Sequence, residues 1–130
     1  MHELAIAQTL IETATAMLPA GISQINVLHV QLGALAGVSK EELLFGFSAV
    51  AAETTCAGAR LEIAETPAVI HCPPCGVESV LAEGEYPLCP RCGTPAVQIM
   101  QGKELIITSI EAEVEADTEA DIEVNEAAYG

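Results

Sequence analysis

The chain has no tryptophan and only two phenylalanines and two tyrosines in 130 residues. With 51% of the residues hydrophobic, a packed core is within reach, but Leu, Ile, Val and Ala must build it. The aromatic platforms on which nucleic-acid bases stack are missing. Positive charge is equally scarce: four Lys and Arg stand against 19 Asp and Glu, a formal charge of −15. Such a surface repels a phosphate backbone and lacks the electrostatic term that dominates nucleic-acid affinity, so no nucleic-acid partner is expected. No stretch approaches the roughly 18 apolar residues that a membrane-spanning helix needs. Nor does the start carry a basic segment followed by an apolar one. The expectation is therefore no membrane and a cytoplasmic location, where paired cysteines are more often metal ligands than disulfides. The length suits one core with a small satellite, and small modules commonly need a metal staple.

Leu4, Ala7, Leu10, Ile11, Ala14, Met17 and Leu18 recur at three- and four-residue steps, which predicts an amphipathic helix ending near Pro19-Ala20-Gly21. Ile25 to Gln31 is β-branched and aliphatic on both faces, as a covered strand requires. Ser39 followed by Glu42 matches a capping box, and Leu43, Phe47, Val50 and Ala51 continue an apolar stripe to about Thr55. Leu61 and Ile63 alternate with Arg60, Glu62 and Ala64 as a strand running toward Pro67, and Leu105 to Ile110 reads the same way. The result is an α+β fold, two helices packed on a small three-stranded sheet. A zinc-ribbon (rubredoxin-like) module is inserted between two neighbouring strands of that sheet. The expected division is 1–67 with 102–114 for the α+β domain and 68–101 for the module. Residues 115–130 form an acidic, disordered tail, because the run from Glu111 to Glu126 carries no matching base.

The strongest motif is a pair of near-identical knuckles, Cys72-Pro73-Pro74-Cys75-Gly76 and Cys89-Pro90-Arg91-Cys92-Gly93. A two-residue gap lets both sulfurs of a knuckle face one ion, and two knuckles present four thiolates to a tetrahedral centre. A closed four-thiolate shell has no open coordination position, so the reading is structural Zn(II) that supplies folding free energy to a segment too short for its own core. An iron centre of rubredoxin type would use similar ligands. A redox dithiol pair lacks the βαβ surroundings of a thioredoxin, and a deaminase needs an open zinc position. No Ser/His/Asp pattern suggests catalysis, so the chain is not expected to be an enzyme. Cys56 stands apart and reads as a small buried hydrophobe. His29 reads as a hydrogen-bonded core or interface histidine, and His71 as a polar residue at a strand end beside the first knuckle.

Met1-His2-Glu3 offers different chemistry. An α-amine titrates near pH 8 and coordinates a metal at modest cost, and the His2 imidazole lies within chelating reach. Ionisation of the His2 amide would join amine, amide and Nδ1 in fused chelate rings, a planar nitrogen set suited to Ni(II) or Cu(II), with the Glu3 amide completing the square. The residues also have a metal-free explanation: a solvated chain-end His, and a carboxylate that complements a helix N-terminus.

The start Met-His-Glu-Leu, the segment Leu32-Gly33-Ala34-Leu35-Ala36-Gly37-Val38, the run Gly58-Ala59-Arg60-Leu61-Glu62-Ile63, and the two knuckles together resemble the HypA/HybF hydrogenase maturation family. Gly102-Lys103-Glu104-Leu105 and Ser109-Ile110-Glu111 resemble its last strand, so the likeness covers about residues 1–114. It implies a nickel metallochaperone that works with a maturation GTPase to deliver nickel to the [NiFe]-hydrogenase large subunit, as a monomer or weak homodimer. It implies Ni(II) at Met1 (through its amine), His2 and Glu3, and Zn(II) at Cys72, Cys75, Cys89 and Cys92. Many members carry an acidic residue where this chain has Ala34. Without the resemblance, a zinc-ribbon adaptor that only docks a partner is the competing reading.

Overall fold

The structure, a computed structural model, describes residues 2–82, 86–114 and 119–129; the side chains of His2, Ser23 and residues beyond 112 fall outside it. The first helix, α1, spans His2–Ala16 and buries Ile6, Ala7, Leu10, Ile11 and Ala14. It stops short of Pro19 because Pro19, Ala20 and Gly21, with a positive φ of 90°, turn the chain into strand β1 (Ile22–Gly33). The second helix, α2 (Lys40–Val50), starts with the expected capping box. The Ser39 hydroxyl accepts from the Glu42 N–H at 3.1 Å, and Glu42 Oε1 accepts from the Ser39 N–H at 3.0 Å. Those hydrogen bonds from Ser39, its backbone first, hold the Glu42 carboxyl below its usual range.

Strand β2 (Arg60–Thr66) lies parallel to β1, which a two-residue hairpin cannot arrange, and α2 supplies the crossover. Strand β6 (Leu105–Val114) then pairs antiparallel with the other side of β1. One hydrophobic cluster joins α1 and α2 to Leu28, Val30, Leu61, Ile107 and Ile110 of the sheet. Cys56 lies wholly buried within it, and burial pushes its thiol up to about 11, so it behaves as a core hydrophobe.

Two topological expectations need correction. The strands on either side of the insertion are not neighbours: the order is β2-β1-β6-β7, with β1 between them. The sheet also has a fourth strand. The acidic segment expected to be a disordered tail contributes β7 (Glu119–Tyr129), antiparallel to β6. Its physical basis is an alternation within the acidic run, which sets Ile122 opposite Ile110 and Ala120 opposite Ala112. The same register sets Asp121 opposite Glu111 and Glu119 opposite Glu113, pairs that repel. Residues 115–118 and 130 lie outside the described residues.

The insertion forms its own three-stranded sheet, β3 (Val69–Cys72), β4 (Val77–Val80) and β5 (Gln98–Gln101), in the order β4-β3-β5. Its hydrophobic cluster is small: Ala68, Ile70 and Leu81, with Leu35, Val97 and Ile99 partly buried against them. The two sheets meet at a narrow junction. Gly33 packs directly on the peptide of Gly102, and a Cβ on Gly102 would lie 2.8 Å from Cα of Ala68. The Gly33 N–H donates to the Glu104 carbonyl (2.7 Å) and the Leu35 N–H to the Gly102 carbonyl (2.6 Å). The Glu104 carboxylate accepts from the Thr66 hydroxyl and the Gly102 N–H, each at 2.8 Å, and so ties together both strands that enter and leave the module. Burial opposes the Glu104 charge, but hydrogen bonds from its own backbone, Thr66 and Gly102 outweigh it and hold the carboxyl below the usual range.

Candidate metal centre

The four cysteines come from two turns with the same internal bond. In the first, the Gly76 N–H donates to the Cys72 carbonyl at 2.8 Å; in the second, the Gly93 N–H donates to the Cys89 carbonyl at 2.8 Å. Gly76 and Gly93 have φ of 67° and 75°, a left-handed conformation in which a Cβ is strained. The first turn is anchored by β3 and β4, the second by the loop ahead of β5, and the turns face each other.

All four sulfurs lie within 4.8 Å of one another, with Cys72 and Cys92 Sγ 3.7 Å apart and Cys75 and Cys89 Sγ 3.9 Å apart. A tetrahedron with zinc–sulfur bonds of about 2.3 Å has edges of about 3.8 Å. The edges at 3.7 and 3.9 Å match those of a tetrahedral zinc site, and no pair of sulfurs is farther apart than 4.8 Å. Among the described residues, no other group of three or more His, Cys, Asp or Glu ligands converges in this way. Cys72 and Cys89 are buried while Cys92 is exposed, so the centre lies at the surface with a closed inner wall.

The thiols are not equivalent. The backbone N–H of Cys92, then that of Arg91 (3.4 Å from the sulfur), stabilise a thiolate on Cys89 and bring it down to about 6. Cys75 is pushed up to about 12, chiefly by hydrogen bonding with Cys92 and Cys72 and then by burial. One thiolate forms readily, and filling the cage must expel protons from the others.

The amino-terminal candidates lie elsewhere. His2 and Glu3 occupy the first turn of α1, where backbone N–H groups have no helical acceptor. Glu3 is half-buried; Met1 and the His2 side chain are outside the described residues. His71 is half-buried on β3, with Glu78 on one neighbouring strand and Gln98 on the other, and takes no part in the sulfur cluster. His29 Nε2 pairs with Glu111 Oε2 at 2.5 Å across β1 and β6, with both side chains about one-third exposed. It is a part-buried, hydrogen-bonded histidine, as the sequence led one to expect of its hydrogen bonding. Two residues escaped the sequence reading. Glu104 carried no signal beyond the likeness of its stretch, and Gly46 was legible only as a glycine interrupting a helical pattern.

A four-thiolate module set into an α+β domain defines a small metal-handling protein. The chain belongs to the HypA family, described as hydrogenase/urease nickel incorporation metallochaperones, whose family model matches residues 1–112. The hydrogenase maturation factor HypA of Roseiflexus sp. strain RS-1 is 41% identical over 114 residues, covering 87% of this chain and 93% of that one. Its counterpart in Chloroflexus aurantiacus strain J-10-fl is 42% identical over 112 residues, covering 85% and 98%. The solution structure of the nickel metallochaperone HypA from Helicobacter pylori superposes with a TM-score of 0.59 over 87% of this chain and 98% of that one. At 24% identity, that likeness supports the fold. Strand β7 lies beyond the family match. No described helix is long and apolar enough to cross a membrane.

Proposed function

We propose that this chain is a nickel carrier with no catalytic chemistry of its own. It binds Ni(II) through the Met1 amine, His2 and Glu3, and helps deliver it to the [NiFe]-hydrogenase large subunit alongside the maturation GTPase. Zn(II) at Cys72, Cys75, Cys89 and Cys92 is structural. The nickel-handling unit comprises 1–67 and 102–114 and the zinc unit 68–101; the protein acts in the cytoplasm as a monomer or weak homodimer. The observation that carries this reading is family membership that spans Met1-His2-Glu3 and the knuckles together. The chemistry supports it: nitrogen donors at a chain end favour a planar ion, while a closed sulfur cage keeps the zinc apart. The Met1 amine and the His2 imidazole must both be unprotonated to bind, so nickel affinity should fall steeply below about pH 7.

The test is a calorimetric and d–d absorption titration of zinc-loaded protein with Ni(II), beside His2→Ala and a version extended ahead of Met1. A single site lost in both variants is expected. Equal binding by all three would overturn the reading and leave an adaptor role ahead.

A further inference from the structure

Gly46 lies in the interior of α2, buried between Leu43 and Phe47. Alanine is the better helix former there, so local propensity gives no reason for glycine. The reason is the start of α1. A Cβ on Gly46 would stand 2.5 Å from the carbonyl oxygen of Glu3, 2.9 Å from its carbonyl carbon and 3.4 Å from the nitrogen of Leu4. All three are backbone atoms, so no side-chain rotation relieves the clash. Ordinary contact of about 3.5 Å would require the first turn of α1 to lift by on the order of 1 Å.

We propose that Gly46 is a positioning residue for nickel, forming a seat on α2 that holds the Glu3 peptide and so fixes how the amino-terminal chelate is presented. This rests on the reading of Met1, His2 and Glu3 as the nickel ligands. Gly46 touches no metal. It acts through the Glu3–Leu4 peptide, which follows the residue whose amide closes the nitrogen square; holding that peptide constrains the Glu3 backbone and so the direction of its amide nitrogen. The first turn of α1, at Glu3, is therefore docked on the second helix.

The test compares Ni(II) titrations of the zinc-loaded full-length protein with those of Gly46→Ala and of Phe45→Ala, the latter altering an adjacent side chain that is 60% exposed. Removing a supporting contact around a metal commonly costs about ten- to a hundredfold in affinity. That loss, with a shifted d–d band, is expected for Gly46→Ala, with zinc content and helical circular dichroism unchanged. Phe45→Ala should match the parent. Parent-like affinity and spectrum in a folded Gly46→Ala would overturn the seat. A parent that binds nickel no better than His2→Ala would instead overturn the underlying site.

If Gly46→Ala does not fold, the unsubstituted protein decides. Planar Ni(II) is diamagnetic, so amide shifts follow its binding. Changes at 43–47 as well as 2–7 are expected, and changes confined to 2–7 would contradict the seat.

Discussion

The α+β domain and the cysteine module differ first in how much apolar surface each can bury. The domain closes two helices over a sheet around Leu10, Leu28, Leu43, Ile107 and Ile110, all fully buried. Among its described residues the module buries Ala68, Ile70 and Leu81, together with the cysteines Cys72 and Cys89. A core of three small or medium aliphatic residues does not offset the chain entropy of some thirty residues. Metal coordination must supply the rest in one region, whereas hydrophobic burial suffices in the other. A structural ion belongs where the core is thin; an ion that has to be released is better held where the fold does not depend on it.

The sharpest way to break this comparison is to remove the metal proposed for the four cysteines. Structural zinc sites contribute on the order of 10 kcal/mol or more to folding. Cys89→Ser or a strong chelator should therefore unfold residues 68–101 while β1, β2 and β6 persist, as amide exchange read by region would report. Uniform loss of protection across both regions would contradict the division. Next in size is a core truncation. Ile110→Ala, at a fully buried position, should cost about 2–5 kcal/mol and lower the main thermal transition, with four thiolates still bound to zinc in the holoprotein.

The junction is a smaller lever. Glu104→Ala leaves the Thr66 hydroxyl and the Gly102 N–H without their acceptor, at a cost of about 1–3 kcal/mol. Because the carboxyl is held below its ordinary range when folded, its contribution is present above the unfolded value of about 4.3. That contribution is lost as pH falls through the folded value. Stability curves of the parent and Glu104→Gln should therefore converge in acid below pH 4; constant separation would contradict the assignment. The smallest effect belongs to β7. Its acidic residues stand opposite those of β6, so raising ionic strength from about 0.01 to 1 M, which shortens the Debye length from about 30 to 3 Å, should increase amide protection across 119–129.

Both helices, the first two strands and the knuckle geometry were legible because each rests on local chemistry. Examples are a capping box at Ser39, aliphatic periodicity in α1, and Cys-x-x-Cys turns with a glycine after them. What was not legible depends on pairing between distant segments. The parallel β1–β2 arrangement that separates β2 from β6 leaves no local mark. Strand β7 was hidden because the charges from Glu119 to Glu126 argue for solvation, while the alternation of Ala120, Ile122 and Val124 favours pairing only once β6 offers an edge. Gly46 is explained only by the backbone of Glu3, 43 positions away, and Glu104 only by Thr66 and the returning chain.

The central claim is that cargo and structural metal occupy different sites with different donors. X-ray absorption at the nickel and zinc edges of protein loaded with one equivalent of each tests it most directly. The expected result is zinc surrounded by four sulfurs at about 2.3 Å and nickel surrounded by nitrogen and oxygen alone. Sulfur in the nickel shell, with zinc displaced from the cysteines, would contradict it.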